Sequence, residues 1–388
     1  MEPLYENFNS HTFPDADPLL YFLMKDNWRL HQCLTLWDQS QVWLLEHESS
    51  QVMNIYHKLS TNDLKDVFSK ITSKKVAVIG DFCLDAYWFI NSSFNALSLE
   101  TGLPVNHVEK QNYFPGGAAN IVNNLKSLGV GNVDVYGVIG NDPFGNELSR
   151  QLNQINCNTK NLLIQNVDWN THTYSKPVLN GNEINRMDFG VNNSLLNDTE
   201  DKLIHALKKN INDYDLAIIN QQITKGLHQN SFPTKLQEVI DVTNIDFISD
   251  CRNKEVEYSN TFLKTNIHEA IQKGLFIEGD SDQPIIQKKI DEGFYKKIVI
   301  SQESKGCLVF SGKEKIEIPV PRNVKPKDTV GGGDSLLTGI SIGLISGCDM
   351  IQSTLIGCLS AFVTIQKPFQ TGTVNPAVSY THLRAHET

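Results

Sequence analysis

Lys75-Val76-Ala77-Val78-Ile79-Gly80 is a short, largely β-branched run that stops at a glycine and passes directly into Asp81-Phe82-Cys83-Leu84-Asp85. It reads as a strand, and the same texture recurs downstream at Val133–Ile139, Leu216–Asn220, Asp246–Asp250, Phe262–Asn266 and Lys297–Ser301. Amphipathic stretches lie between these runs, among them Ala118–Leu128, Asn146–Ile155, Asp198–Asn210, Gln283–Asp291 and Ser335–Ile345. Such alternation predicts an α/β fold with a mostly parallel sheet and helices on both faces. Ligands of such sheets bind beyond the carboxyl ends of the strands.

Two stretches interrupt the alternation, Ala86–Val108 and Asn161–Asp188. In the second, Thr171, Thr173, Ser175 and Pro177 fall on one parity and His172, Tyr174, Lys176 and Val178 on the other, the period of a β-layer set apart from the main sheet. A lid over the site is the functional reading, and an ornamental hairpin the plainer one. Upstream, residues 1–70 are rich in Trp, His, Gln and Leu, with helical periodicity around Leu30–His57. That extension carries no chemistry: Cys33, His47 and His57 are not at metal-ligand spacing.

The chain has 388 residues, and 34 Lys and Arg against 44 Asp and Glu leave a formal charge of -10. The resulting field repels phosphate backbones and anionic membranes, so neither a nucleic acid nor a membrane is an expected partner. Seven cysteines without a Cys-x-x-Cys pair support neither a zinc site nor a disulfide framework. With an acidic start and no long apolar run, a cytoplasmic protein is expected.

The strongest local signal is Asp328-Thr329-Val330-Gly331-Gly332-Gly333-Asp334-Ser335, followed at once by an apolar helical run. Three glycines opening a helix expose consecutive backbone N–H groups and let an anion approach the positive end of the helix dipole. Asp334 then stands where a carboxylate can take a proton from an attacking hydroxyl. A tight turn is the plain alternative, and no Gly-Lys-Ser/Thr follows to make a Walker A loop. Asp81 and Asp85 suit polyol hydroxyls, or else a cap or loop salt bridge. In Phe114-Pro115-Gly116-Gly117-Ala118-Ala119-Asn120, a glycine pair permits close approach of a ligand, and Asn120 can donate to and accept from hydroxyls. Gly129-Val130-Gly131 lacks a third glycine and precedes a strand, which discounts a dinucleotide-dependent oxidoreductase.

In their order and spacing these motifs resemble the PfkB, or ribokinase-like, carbohydrate kinases over roughly Lys75 to Pro376, closest to the branch of bacterial heptose-7-phosphate kinases. Gly80-Asp81, Leu84-Asp85, Tyr87-Trp88, Leu103-Pro104-Val105 with Pro115–Asn120, Val138–Asp142 and Asn185–Phe189 carry the resemblance, together with Asp328–Asp334. The partly helical extension over 1–70 precedes the resemblance, and Val378–Thr388 reads as translated adapter sequence, a tail over 378–388 expected to be non-native. The resemblance implies a three-layer α/β/α sandwich with a small β lid, in a kinase domain over 71–377 with lid segments near 86–108 and 161–188. It also implies ATP and Mg²⁺ at the carboxyl edge of the sheet, and a homodimer formed through the lid.

By the same resemblance Asp334 falls on the catalytic base, with Gly331, Gly332 and Gly333 as the anion hole. Asp81, Asp85, Gly116, Gly117 and Asn120 would hold the sugar. Asn266 and Glu269 match an Asn-x-x-Glu element tied to magnesium and phosphate placement, with Glu269 the metal residue. Ser301, Gly306 and Thr329 fall in nucleotide-binding positions. The sequence departs from the family at Ser301-Gln302-Glu303 and at Gly357-Cys358-Leu359-Ser360-Ala361, near the expected adenine site, which leaves the nucleotide preference open. A substrate phosphate needs a cation, and Arg186 and Lys176 are the candidates; solvated strand-edge charges are the alternative. A catalytically silent sugar-binding or regulatory protein on the same fold is the second functional reading.

Overall fold

The computed structural model describes residue 55, residues 58–319 and residues 326–367. The periodicity around Leu30–His57 lies almost wholly outside the described residues, and the tail over 378–388 lies entirely outside them.

Strand β1 (Lys75–Gly80) is the axis of the molecule. It pairs in parallel with β4 (Asn132–Gly140) on one side and β9 (Leu216–Gln221) on the other. Alternate residues of β1 enter different cores: Val76 and Val78 pack on one face of the sheet, Ala77 and Ile79 on the other. A strand buried on both sides has no polar parity, which is why this run reads as continuously apolar. Beyond β4 lies the edge strand β5 (Asn158–Gln165). Beyond β9 come β10 (Asp246–Cys251), β11 (Thr261–Asn266) and β12 (Tyr295–Ser301), all parallel. An antiparallel hairpin, β13 (Cys307–Ser311) and β14 (Glu314–Ile318), closes that edge of the nine-stranded sheet.

Helices cover both faces, as the alternation predicts. One face carries α1 (Thr61–Ile71), α2 (Ala118–Leu128), α3 (Pro143–Gln154), α8 (Gly332–Ile345) and α9 (Met350–Ile365). The other carries α4 (Asn197–Asn210) and α5 (Phe232–Val242). The short α6 (Ile267–Gln272) and α7 (Pro284–Asp291) serve the far end of the sheet. Helix α1 starts on a capping box between Ser60 and Asp63 and buries Leu64, Val67, Phe68 and Ile71 in the first core. Among the described residues, Leu59 and in part Ile55 also pack there, so this core takes in residues upstream of 71. Helices α8 and α9 touch at Gly339 and Gly357, where a Cβ on Gly339 would come within 2.5 Å of the Gly357 Cα. Gly357 thus has a packing reason to stand in the stretch that departs from the family pattern.

A second, five-stranded sheet stands apart from the first. Its long hairpin, β2 (Phe82–Leu97) and β3 (Pro104–Gly117), is joined in parallel through β2 to β6 (His172–Leu179). Two short strands, β7 (Asn182–Glu183) and β8 (Met187–Phe189), pair with β6. This layer is larger than the two expected segments in one place and smaller in another. Residues 82–85 and 109–117 also belong to it, whereas 161–165 lie in β5 of the main sheet. Asp81 is the single residue between β1 and β2, so it marks the joint of the two sheets. No helix among the described residues is long and apolar enough to cross a membrane.

Candidate active site

The joint is built from glycines and one buried carboxylate. Gly117, at the end of β3, has φ +55°, and a Cβ there would come within 2.5 Å of the Asp81 carbonyl oxygen. Only glycine accommodates both the left-handed backbone and that approach. The Asp81 carbonyl in turn accepts from the Ala118 N–H, and α2 starts there. Asp81's own carboxylate is fully engaged: Oδ2 accepts from the Gln222 and Ile223 N–H groups at 2.8 and 2.9 Å, and Oδ1 from the Leu227 N–H at 2.6 Å. Burial pushes this carboxyl up to about 6 despite those three donors. Asp81 thereby ties down the loop after β9.

One turn into α2, fully buried Asn120 donates from Nδ2 to Asp334 Oδ2 at 2.7 Å. Asp334 sits in the first turn of α8, 8% exposed, directly behind the glycine triplet. Gly331, at φ +77°, is the residue before the helix, and Gly332 and Gly333 are its first two. The other Asp334 oxygen, Oδ1, accepts from Gln222 Nε2 at 3.2 Å. Burial raises the Asp334 carboxyl to about 6; the Asn120 donor and the Lys264 and Arg252 charges hold it from rising further, while Asp250 pushes it up.

Lys264 and Arg252 are the cations of this site. Lys264, buried on β11, donates to Asp250 Oδ2 at 2.7 Å. Its ammonium lies 3.1 Å from where a Cβ on Gly333 would stand, so it is placed beside the glycine loop. Burial disfavours its charge, but Asp250, Glu269 and Asp334 more than compensate and its pKa is raised. The Arg252 Nε lies 3.8 Å from Glu269 Oε1. Asn266 and Glu269 form a reciprocal capping box at the start of α6: Asn266 Oδ1 accepts from the Glu269 N–H at 2.8 Å, and Glu269 Oε2 from the Asn266 N–H at 3.1 Å. One Glu269 oxygen is thereby committed to the fold, and Oε1 is left toward Arg252.

The remaining residues singled out in the sequence are less closely gathered. Thr329 is exposed, with its carbonyl accepting from the Gly332 N–H at 3.2 Å. The Ser301 hydroxyl reaches the Thr265 carbonyl at 3.4 Å. Gly306 turns the chain into β13 at φ +96°, and a Cβ there would meet the Ile318 carbonyl oxygen at 2.0 Å. On the second sheet, Asp85 is buried against Lys176, with Oδ1 2.6 Å from Nζ. A Cβ on Gly116 would come within 2.8 Å of Asp85 Oδ2, so any larger residue there would crowd the carboxylate. Lys176 is therefore not a solvated strand-edge charge, and its charge is already met by Asp85. Arg186 keeps 48% of its side chain exposed; it forks onto Asp188 at 2.7 and 2.8 Å and lies over the Tyr174 ring at 4.7 Å.

Gln222, Asp250, Arg252 and Lys264 were not singled out by sequence. Gln222 and Arg252 immediately follow β9 and β10, and Asp250 lies near the end of β10, where the rule for ligands of parallel sheets points. That rule was the available signal.

A model of the pfkB family carbohydrate kinases matches residues 73–377. The Bifunctional protein HldE of Aliarcobacter butzleri is 28% identical over 305 residues, covering 76% of this chain and 62% of that protein. Its counterpart from Sulfurimonas denitrificans is 27% identical over 303 residues, covering 77% of this chain and 62% of the relative. The chain thus spans less than two thirds of the length of these curated relatives. Among solved structures, a ribokinase from Thermotoga maritima superimposes with a TM-score of 0.58 at 19% identity, covering 80% of this chain and 99% of that one. The Arabidopsis thaliana ribokinase complexed with ribose and ATP gives 0.59 at 15% identity, covering 77% and 94%. The fold is ribokinase-like.

Proposed function

The chain belongs to the pfkB family of carbohydrate kinases, and on that premise we propose that it transfers a phosphoryl group from ATP to a hydroxyl of a sugar phosphate, heptose 7-phosphate in particular. The observation that carries the reading is Asp334: a buried carboxylate behind a glycine-led helix start, oriented by two amide donors and flanked by Lys264 and Arg252. Asp334 accepts the proton of the attacking hydroxyl. The N–H groups of Gly331 and Gly333 and the Lys264 ammonium serve the charge that develops on the transferring group, while the Gly332 N–H closes the turn onto the Thr329 carbonyl. Asp85 and Asn120 serve the sugar hydroxyls.

The donor set suits ATP with Mg²⁺. Three carboxylates, Asp250, Glu269 and Asp334, surround two cations, Lys264 and Arg252, so an anionic nucleotide needs an accompanying cation to enter. Among the described residues no cluster of three or more His, Cys, Asp or Glu could hold a metal by itself. A single carboxylate oxygen, Glu269 Oε1, together with nucleotide phosphates is the usual manner of holding Mg²⁺. Bound ATP·Mg²⁺ supplies the transferable phosphoryl group and neutralises its oxygens.

The substrate's own phosphate falls to Arg186. Lys176 is spent on Asp85, whereas Arg186 is half exposed and its guanidinium fork can exchange Asp188 for a phosphate. In a panel of sugars and sugar phosphates, Arg186→Ala should raise KM for the phosphorylated substrate about tenfold or more, the value of one charge-assisted contact, and leave unphosphorylated sugars unchanged. An equal loss on both removes the phosphate role.

The homodimer expected through the lid has a surface to match. Leu97, Leu103, Val105 and Val108 on the long hairpin and its turn, and Ile184, Met187 and Phe189 beyond it, are all exposed apolar side chains in or beside the second sheet. Sedimentation should show a dimer for the unaltered chain and a monomer for Leu103→Lys with Val105→Lys. An unchanged mass for the double variant would place any interface elsewhere.

A further inference from the structure

Resting on the kinase reading above, we propose that Gln222 is a positioning residue for the base, holding one Asp334 oxygen while Asn120 holds the other. The two amides come from different elements. Asn120 is carried by α2 and donates to Oδ2 at 2.7 Å; Gln222 is carried by the loop after β9 and donates to Oδ1 at 3.2 Å. A carboxylate gripped by one donor can still turn about its Cβ–Cγ bond. Gripped at both oxygens, it presents a fixed lone pair to the incoming hydroxyl, which proton transfer requires.

Gln222 is itself held firmly. Its backbone N–H donates to Asp81 Oδ2 at 2.8 Å, the Ile223 and Leu227 N–H groups secure the same loop to Asp81, and a Cβ on Gly226 would meet Asp81 Oδ1 at 2.1 Å. The preceding Gln221 braces the neighbouring loop: its backbone carbonyl accepts from the Arg252 N–H at 2.9 Å and its Oε1 from the Asn253 N–H at 2.7 Å. The buried Asp81 carboxylate thus acts on the site at one remove. It fixes the residue that fixes the base.

The charges facing Asp334 are Lys264 from β11, with Asp250 and Arg252 from the end of β10 and the loop beyond it. Against that background a neutral N–H donor favours the ionised carboxylate, so removing it makes Asp334 harder to ionise.

The test replaces the donor and reads the base directly. With ¹³C-labelled aspartate, the Asp334 carboxyl resonance is assigned by its loss in Asp334→Asn and followed through pH in the unaltered protein, in Gln222→Met and in Gln222→Glu. The midpoint should rise by about half to one pH unit in Gln222→Met and further in Gln222→Glu, where a second carboxylate faces the first. The acid limb of kcat should move with it, while KM for the sugar stays within about twofold. An unmoved midpoint in Gln222→Met overturns the proposal, as does a change confined to the sugar KM, which would make Gln222 a substrate contact. If the midpoint moves but the unaltered protein phosphorylates no sugar, the contact stands and the kinase reading alone falls.

Discussion

Asp334→Asn should lower kcat by about 10²- to 10⁴-fold, the range for loss of a positioned base, while sugar affinity changes little. The substituted amide fills the same space at the start of α8, so the glycine loop, Lys264 and the α2 end of the site keep their places. The proton acceptor is lost, and one of the two amide donors, Asn120 or Gln222, loses its acceptor oxygen to an NH2. The unaltered enzyme should show a matching pH dependence. Its base is ionised only above a pKa of about 6, so kcat/KM should fall tenfold per unit as pH drops below that value, and the residual activity of Asp334→Asn should lack this limb. Stability gives an independent check. Because the folded pKa lies above the ordinary carboxylate value, this group's stabilising contribution is present at low pH and lost as pH rises through about 6. Near neutrality the buried charge therefore works against the fold, and between the ordinary carboxylate value and about pH 6 the unaltered protein should lose more stability with rising pH than Asp334→Asn does. Near-normal turnover, or an acid limb that survives the substitution, would remove Asp334 from the role of base.

Much of this arrangement is legible from residues alone, and the parts that are not share a physical cause. Lys75–Gly80 is found at its expected bounds, because a strand buried on both faces admits only apolar side chains and its end is marked by a glycine. Ala118–Leu128 is equally plain: Gly117 and Gly129, both at positive φ, bracket the helix. The second sheet is harder. Strand β2 follows β1 across the single residue Asp81, with no turn signal between them, so its first four residues read as loop. Strand β5 alternates partly exposed polar positions at the sheet edge and is mistaken for lid. Pairing partners settle such cases, and pairing is non-local.

The same distinction governs the site. Glycine loops and the residues beside them announce themselves locally, hence Gly117, Asn120, Gly331–Gly333 and Asp334. What no local pattern conveys is that Asn120 and Asp334 touch across 214 positions, or that Gln222, from a third element, completes the grip. Nor does the sequence show that the two aspartates of Asp81-Phe82-Cys83-Leu84-Asp85 diverge. One is closed in by backbone amides at the joint, and the other is paired with a lysine on the neighbouring strand.

That second aspartate supplies the largest stability effect expected here. Lys176→Met should destabilise the protein by about 3–5 kcal/mol, the cost of breaking a buried ion pair by removing one side of it. Both side chains are only 6% exposed, with Nζ 2.6 Å from Asp85 Oδ1. The Lys176 ammonium also donates to the Tyr87 hydroxyl at 3.2 Å, across the register in which Tyr87 and Lys176 are direct neighbours. At that burial water offers little to replace the lost ammonium. The carboxylate must either keep its charge without the ammonium or take up a proton. Urea unfolding of Lys176→Met should show a lower midpoint with an unchanged slope. Adding Asp85→Leu should recover most of the loss, because a buried pair exchanged for apolar residues of similar volume is close to neutral. If Lys176→Met alone unfolds within about 1 kcal/mol of the unaltered protein, a figure typical of an exposed pair, then the pair is not closed off from solvent as described. Phosphoryl transfer then separates structure from function. A double variant restored in stability but inactive toward sugars would mean that Asp85 is needed for the substrate, and that Lys176 serves the site by making a buried carboxylate tolerable beside Gly116.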